Sequence, residues 1–288
     1  MPRPTETHPT PVASGACRLG RALSSFVGLL LHPLGMAAGW TMRSLRTPER
    51  LDRGLVLILP GIEGQSFLNQ SLARGLAEAG MQEAIEIHDW TTQVILLFLV
   101  HLRSGWWHQR SIKKLVDRIR EYRQSHPGRP IYVVGHSGGG ALLVYALQNL
   151  PQDCSITGAI LLGPALSPRF NLAPALRHVE QGLWNFHSPL DCFFLGLGTL
   201  LCGTFDGQHT VSGGNTGFAI PEDASPDDHA QYETKLHQQP FRAEMLGSYN
   251  LGGHMGWTNQ VFAAEWLAPI LNPHLASPTQ SKAAETPA

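Results

Sequence analysis

The sequence predicts one α/β domain, built as a three-layer α/β/α sandwich around a mostly parallel central sheet. Apolar runs with strand character alternate with amphipathic helical stretches, and this alternation favours a parallel sheet covered by helices on both faces. The run Gly54–Pro60 (GLVLILP) is apolar throughout, as expected of a strand buried on both faces. The chain has 288 residues, and no linker composition interrupts residues 51–272, so we assign that range to a single domain.

The individual elements follow from hydrophobic periodicity and from the residues that begin and end each run. Short apolar runs bounded by turn residues predict strands at Gly54–Pro60, Ala84–His88, Ile131–Gly135 and Ile156–Gly163, with weaker candidates at Leu183–Phe186 and Met245–Asn250. Apolar residues at helical spacing predict helices at residues 66–79 (with Ser66 as the cap), Gln109–Ser125, Ala141–Leu150 and Thr258–Leu271.

Both ends of the chain differ in composition from the domain. Residues 1–16 and 273–288 are polar and contain several prolines, which predicts a disordered N-terminus and a disordered tail. Residues 17–50 form an apolar N-terminal segment, in which residues 22–40 follow two arginines. We interpret residues 22–40 as an apolar helix packed on the domain; the alternatives are an export signal or a membrane contact.

Composition argues against nucleic acid and metal as partners. With 21 Lys+Arg against 22 Asp+Glu the net charge is −1, whereas phosphate binding needs clustered basic residues. No HExxH or CxxC pattern occurs, so we predict neither a metal nor another cofactor. The cysteines are predicted to be ordinary buried thiols rather than a disulfide framework; they are Cys17, Cys154, Cys192 and Cys202.

The stretch Gly135–Gly139 (GHSGG) carries the clearest chemical signal. It lies between a predicted buried strand and a predicted helix, which is the context of a nucleophile elbow with Ser137 at its tip. The glycines on either side would relieve crowding around a strained serine. The alternative is a plain glycine-rich turn, and in either reading His136 is interpreted as a residue that packs in the elbow rather than as a base.

From Gly54 to the closing helix the chain resembles the α/β-hydrolases. The resemblance rests on a Leu-Pro-Gly loop at residues 59–61, the GHSGG elbow, a late acid, and a histidine in a Gly-rich loop, and it covers about three-quarters of the chain. It implies the α/β-hydrolase fold and the chain order Ser, acid, His for a catalytic triad. Few residues separate Trp40 from Gly54, so the N-terminal edge of the sheet is expected to be truncated.

Read against this order, His254 in YNLGGHMGW is the predicted base. Of the later histidines, His209 has no strand before it, while His229 and His237 are assigned to a polar, helical stretch. Asp191 is the predicted acid because it follows a strand at a Ser-Pro turn. Asp206 is the alternative acid, and the remaining candidates are Asp223, Asp227 and Asp228.

A serine nucleophile also needs two backbone donors for the developing oxyanion. The resemblance assigns them to Gly138, directly after the nucleophile, and to Ile62 in the loop after the first central strand. The alternative for that loop is a tight Pro-Gly turn. Glu63 is an unexpected charge there, and we expect its carboxylate to point away from the oxyanion or to bind substrate.

The predicted function is that of a cofactor-free serine hydrolase, similar to esterases, lipases or thioesterases, acting on a small acyl substrate through an acyl-enzyme. Apolar residues 94–102 are interpreted as core, and residues 192–243 as a long loop at the pocket rim; a role of residues 94–102 in a lid would favour a lipid-like substrate. An acyltransferase using the same triad and a non-catalytic hydrolase-like binding protein near a membrane are the alternatives. A cytoplasmic location is favoured over membrane association or export.

Overall fold

The computed structural model describes residues 18–23, 38–93 and 97–276, and a six-stranded sheet lies at its centre. The strands are β1 (Leu55–Leu59), β2 (Ala84–Ile87), β3 (Ile131–His136), β4 (Ile156–Leu162), β5 (Val179–His187) and β6 (Leu236–Pro240). Their order across the sheet is β2-β1-β3-β4-β5-β6, and every neighbouring pair is parallel. The predicted fold class is therefore confirmed, and β1 is the first strand of the described residues.

Helices connect the strands and cover the sheet. The α-helices are α1 (Pro48–Leu51), α2 (Phe67–Glu78), α3 (Phe98–Arg103), α4 (Gly105–Ser125), α5 (Gly138–Gln148), α6 (Ala173–Leu176), α7 (Thr199–Cys202), α8 (Gly213–Thr216), α9 (Pro226–Lys235), α10 (Gln260–Phe262) and α11 (Ala268–Leu271). Residues 18–23 are also helical. Two π-helical segments lie at Cys192–Gly198 and Ala263–Leu267, and 3-10 turns lie at Ala38–Leu45, Ala243–Ser248, His254–Thr258 and Pro273–Ala276.

The alternation of side chains along each strand divides the core into two layers. Leu55, Leu57 and Leu59 of β1 face one layer, which contains the apolar faces of α4 and α5. Val56 and Ile58 face the other layer, which contains α2 and the C-terminal helical stretch. Since both faces of the sheet are covered, β1 is apolar at every position and β4 is buried along its whole length, which is the pattern that made these strands recognisable in the sequence.

The order of the strands determines where a site can form. The chain leaves β1 for β2 on one side of it and then crosses to β3 on the other side, so β1 and β3 flank a switch point in the topology. In open α/β sheets, ligands bind at the carboxyl ends of the strands beside such a point. The loop after β1 carries Ile62, and the turn after β3 carries Ser137.

The structure corrects several local predictions. Met245–Asn250 is not a strand, since Ala243–Ser248 is a 3-10 turn. His237 lies in β6 rather than in a helix, and residues 192–243 contain β6 and several short helices instead of one long loop. Cys154 is buried as predicted, but Cys192 is exposed and Cys202 is partly exposed.

The N-terminal segment falls mostly outside the described residues, which omit 24–37, so the prediction of a packed helix over residues 22–40 stays untested, as does that of disorder over residues 1–16. Within the described ranges, no helix is long and apolar enough to cross a bilayer. Of the predicted tail, residues 273–276 form a 3-10 turn and the rest lies outside the described residues.

Candidate active site

Ser137 occupies a strained turn between β3 and α5. Its backbone angles are φ 53° and ψ −120°, a region that residues with a side chain rarely adopt and that occurs mainly where the surrounding structure enforces it. The Ser137 amide donates to the carbonyl of Leu162 at 2.9 Å, and its carbonyl accepts from the amides of Gly140 at 3.1 Å and Ala165 at 3.2 Å. The carboxyl ends of β3 and β4 therefore hold the serine at the sheet edge.

The glycines around Ser137 are required by close backbone contacts. A β-carbon on Gly135 would lie 2.6 Å from the carbonyl oxygen of Gly139, and one on Gly139 would lie 2.3 Å from that of Pro60. Both distances are far below van der Waals contact, so neither position accepts a side chain without backbone movement. The turn can be this tight because both residues lack a β-carbon.

His254 and Asp191 form a short, buried hydrogen bond. The distance from His254 Nδ1 to Asp191 Oδ2 is 2.5 Å, and the residues are 7% and 2% exposed. A carboxylate only accepts, so Nδ1 carries the proton and Nε2 of the neutral ring keeps a free electron pair. This is the tautomer in which a histidine can act as a general base through Nε2.

Local structure explains how Asp191 reaches this position. It follows the end of β5 and forms the N-cap of the π-helical segment Cys192–Gly198, where its Oδ1 accepts from the amide of Leu195 at 3.3 Å. The side-chain amide of Asn215 donates to its carbonyl at 3.1 Å. One carboxyl oxygen is thus used by the helix start, and the other is left for His254.

Ser137 and His254 lie at the same edge of the sheet without a hydrogen bond between them in the described part of the chain. The rings of His254 and His136, the residue before the serine, have centroids 4.7 Å apart. Phe194 stacks on His254 from the π-helical segment, with ring centroids 4.9 Å apart. The contact between base and nucleophile often tightens only when substrate is bound.

The two predicted oxyanion donors are neighbours. A β-carbon on Gly138 would lie 3.0 Å from Cγ2 of Ile62 and 3.2 Å from the Trp90 ring, so the loop after β1 lies against the start of α5. Neither the Ile62 nor the Gly138 amide donates a hydrogen bond to any residue within the described ranges. The first amides of a helix have no partner inside it, so this one at Gly138 is available to a ligand.

Two residues that sequence reasoning missed hold the loop of Ile62. Trp90 donates from Nε1 to the Pro60 carbonyl at 2.7 Å. His101 Nδ1 lies 3.1 Å from the Ile62 carbonyl, and its Nε2 accepts from the Thr92 amide at 3.0 Å. His101 therefore donates from Nδ1 and is neutral, in agreement with burial, which lowers the pKa of this imidazole.

The position of His101 bears on the apolar stretch 94–102, which was interpreted as core. His101 and Leu102 are buried, whereas Leu97 is 40% exposed. The histidine inside the otherwise apolar run VILLFLVHL is the one signal that could have indicated a polar contact there.

The carboxylate of Glu63 does not point away from the site. Its Oε1 accepts from the Gly61 amide at 3.2 Å, and a β-carbon on Gly61 would meet both the Glu63 carboxylate and the β-carbon of Ser137 within 3.2 Å. This part of the expectation is wrong because a neighbouring histidine, His136, faces the carboxylate from the elbow.

The alternative acids have other partners. Asp206 accepts from the amide and hydroxyl of Ser167 at 3.0 and 2.6 Å. It lines a cavity of about 570 Å³ that none of Ser137, Asp191 and His254 lines. Two further candidates, Asp227 and Asp228, pair with Arg177 at the surface.

Comparison with known proteins gives one family match. Residues 104–191 match the family model described as serine aminopeptidase, S33 (Hydrolase_4), a range that runs from the N-cap of α4 through Ser137 to Asp191. No curated protein matches the chain significantly.

Solved structures with a similar arrangement share little sequence with this chain. A Trichoderma reesei cutinase in complex with a phosphonate inhibitor is 13% identical over 91% of this chain and 92% of its own, with a TM-score of 0.38. A cutinase-like protein from Cryptococcus sp. is 14% identical over 77% of this chain and 95% of its own, with a TM-score of 0.39. A poly(3-hydroxybutyrate) depolymerase from Bordetella parapertussis is 14% identical over 80% of this chain and 84% of its own, with a TM-score of 0.43.

Proposed function

We propose that this chain is a serine hydrolase of the α/β-hydrolase superfamily that cleaves a carboxylic ester or related acyl bond. The observation that carries the proposal is the backbone of Ser137, held at φ 53° between β3 and α5. Such strain at a strand-to-helix turn lifts a serine hydroxyl above the edge of the sheet. Residues held in sparsely populated backbone conformations cluster at active sites, where the surrounding structure enforces them.

In the proposed reaction Ser137 is the nucleophile and His254 is the base. Ser137 Oγ attacks the acyl carbonyl while His254 Nε2 takes the hydroxyl proton, and Asp191 stabilises the resulting imidazolium through Nδ1–H. The carbonyl oxygen becomes an oxyanion that the amides of Ile62 and Gly138 stabilise.

The tetrahedral intermediate then collapses, and His254 returns its proton to the leaving group as the acyl-enzyme forms. In the second half, water attacks the acyl-enzyme and gives its proton to His254. As this second intermediate collapses, His254 gives that proton to Ser137 Oγ, which releases the carboxylic acid and restores the Ser137 hydroxyl.

The surface around the base favours a lipid-like acyl group. The rim segment, residues 190–201, exposes large apolar side chains, of which Phe193 is 70% and Leu201 is 69% exposed. Residues 192–205 contain no charged residue. Phe194 of this segment stacks on His254, so the exposed apolar surface extends from the proposed base outwards, as an acyl-chain contact would require.

The loop before His254 adds to the same surface. Leu251 is 60% exposed and Leu190 is 58% exposed, and a β-carbon on Gly252 would lie 2.8 Å from Cδ1 of Leu190. The loop of the proposed acid and the loop of the proposed base thus lie against each other, and each exposes a leucine.

Labelling with a fluorophosphonate probe tests the proposal. We expect the folded protein to be labelled at Ser137, and Ser137→Ala to lose both labelling and turnover of p-nitrophenyl esters. Ser125→Ala, at the exposed end of α4, is the matched control and should behave as the wild type. A well-folded wild-type sample that the probe does not label would rule out the serine hydrolase.

The substrate class is tested with a panel of acyl donors. Esters and thioesters of increasing chain length address the lipid-like preference, and aminoacyl amides address the aminopeptidase activity named in the matched family. We expect kcat/KM to rise with acyl length. A preference for short esters or for aminoacyl amides would overturn the lipid-like assignment while leaving the nucleophile in place.

A further inference from the structure

A second histidine and a second carboxylate lie beside the proposed triad. Glu63 Oε1 is 3.7 Å from Nδ1 of His136. The Glu63 side chain is 14% exposed and that of His136 is 1% exposed. The proposed reaction uses neither group, and burying a charged carboxylate without a partner is costly.

The groups around the His136 ring indicate which of its two nitrogens carry a proton. Nε2 is 3.1 Å from the backbone carbonyl of His254, and a carbonyl only accepts, so Nε2 must carry a proton. Nδ1 is buried without a hydrogen-bond partner among the described residues, and the group that faces it is the carboxylate of Glu63. In a neutral ring the lone pair of Nδ1 would face that negative charge, whereas in an imidazolium Nδ1–H would face it.

The pair connects three loops at the carboxyl edge of the sheet. Glu63 accepts from the Gly61 amide in the loop of the proposed oxyanion donor. His136 ends β3 and precedes the nucleophile. Its Nε2–H reaches the main chain of His254, whose side chain is held separately by Asp191.

We propose that Glu63 holds His136 as a permanent imidazolium, and that this pair positions the loop of Ile62 and the loop of His254 around Ser137. The inference deepens the proposed function and rests on it for its catalytic consequence, but the protonation state of His136 is a separate claim. Glu63 and His136 are positioning residues here, because no step of the reaction passes through them.

The charges around the pair are consistent with this assignment. The titratable groups that face it are His254, 4.7 Å from His136 between ring centroids, and Asp191, which is bonded to His254. Burial raises the pKa of Glu63, but the contact with His136 and a backbone hydrogen bond outweigh it, so the pKa of Glu63 lies below its ordinary value. Glu63 is therefore ionised at neutral pH.

The imidazolium also has an electrostatic role. A lone carboxylate beside Ser137 would oppose the oxyanion that forms in the proposed reaction. With a proton on each nitrogen of His136, the pair has no net charge. Glu63 can then accept the hydrogen bond from the Gly61 amide without destabilising the oxyanion.

The first test observes the protonation state directly. Protein with ¹⁵N-labelled histidine is studied by NMR at about pH 8, well above the ordinary histidine pKa of about 6.5. We expect one doubly protonated imidazole, with two nearly equal ring-nitrogen shifts, that disappears in His136→Asn and becomes a neutral ring in Glu63→Gln. His178→Asn is the matched control, since His178 Nδ1 also lies against a carbonyl, that of Cys154, at 2.8 Å.

The outcomes of the NMR experiment are decisive. Absence of a doubly protonated ring in the wild type, or its persistence in His136→Asn, overturns the proposal. If His136→Asn does not fold, the nearly isosteric Glu63→Gln alone decides, because a doubly protonated ring that survives in it is not held by Glu63.

The second test measures the consequence for turnover. Glu63→Gln and His136→Asn should each lower kcat about tenfold to a hundredfold with little change in KM, since they displace catalytic groups rather than substrate contacts. The double variant should be no slower than the slower single variant, because residues that act as a unit are not additive. Additive losses, or losses confined to KM, would overturn the positioning role.

The serine hydrolase proposal and the ion-pair proposal can each be refuted without the other. A wild type that shows the imidazolium but is not labelled by the fluorophosphonate refutes the hydrolase and retains the ion pair. A wild type that is labelled at Ser137 but shows no imidazolium refutes the ion pair and retains the hydrolase.

Discussion

Asp191 Oδ2 and His254 Nδ1 are 2.5 Å apart, in a place where both side chains are almost fully buried. The Asp191 carboxylate makes two interactions, because its other oxygen caps the segment Cys192–Gly198. Orientation of the proposed base and folding of the rim segment are thereby joined in a single side chain.

The acid is tested by comparing two aspartates. We expect Asp191→Asn to lower kcat about 10⁴-fold, since an amide no longer selects the tautomer that leaves Nε2 free. Asp206→Asn should keep turnover near the wild-type level, because Asp206 bonds to Ser167. Initial rates on one p-nitrophenyl ester measure both, and loss of turnover only in Asp206→Asn would reassign the acid.

Phe194 is expected to influence acyl-chain preference. It is 47% exposed and stacks on His254, so Phe194→Ala should reduce kcat/KM for long-chain esters more than for short ones. Leu246→Ala is the control. Leu246 is similarly exposed, at 50%, but it lies in a different turn, where the carbonyl of the next residue, Gly247, accepts a hydrogen bond from Arg18. Equal losses across chain lengths would show that Phe194 supports the base rather than the substrate.

Gly139 tests the packing behind the elbow. A β-carbon there would lie 2.3 Å from the Pro60 carbonyl oxygen and 2.6 Å from that of Leu59, so β1 or α5 must move. We expect Gly139→Ala to lower the free energy of unfolding by about 1–3 kcal/mol or more, measured by urea denaturation. Gly105→Ala, with no atom within 4 Å of the added carbon, should be neutral; equal effects of the two changes would contradict the contact.

Buried and partly buried histidines predict a stability that depends on pH. Burial lowers the pKa of five of them below the ordinary value of 6.5; they are His88, His101, His108, His187 and His237. As the pH falls, a histidine whose pKa is lower in the folded state is protonated more readily in the unfolded chain, and this favours unfolding. The free energy of unfolding is therefore highest above pH 6.5 and should decrease as the pH falls below that value.

His101 offers a specific check of this dependence. Its Nδ1 donates to Ile62 and its Nε2 accepts from Thr92, two contacts that the amide of a glutamine can also make. Urea midpoints measured between about pH 7 and pH 5 should fall less steeply for His101→Gln than for the wild type. An unchanged slope would show that His101 binds its proton equally well in the folded and unfolded states.

The strands and the elbow could be predicted because their causes are local. A strand buried on both faces is almost continuously apolar, as β1 and β4 are, and no distant residue is needed to recognise it. The elbow follows from a strand, a serine among glycines and a helix in immediate succession. The false strand at Met245–Asn250 shows the limit, since a short apolar run is also compatible with a buried 3-10 turn.

Most of the candidate site was decided by tertiary structure. Asp191 and Asp206 both lie in loops, and only the folded chain shows that one meets His254, 63 positions away, while the other meets Ser167. The direction of Glu63 depends on His136, which reaches it only when β1 and β3 pair side by side.

The sequence by itself determined the order of the first five strands, the fold class and the position of Ser137 at a strand-to-helix turn, because periodicity and glycine placement act over a few neighbouring residues. Tertiary structure alone decided which carboxylate meets which histidine. Hydrogen bonds and ion pairs depend on distances of a few ångströms between loops that are remote in the chain, and those distances are set by packing of the sheet and its helices.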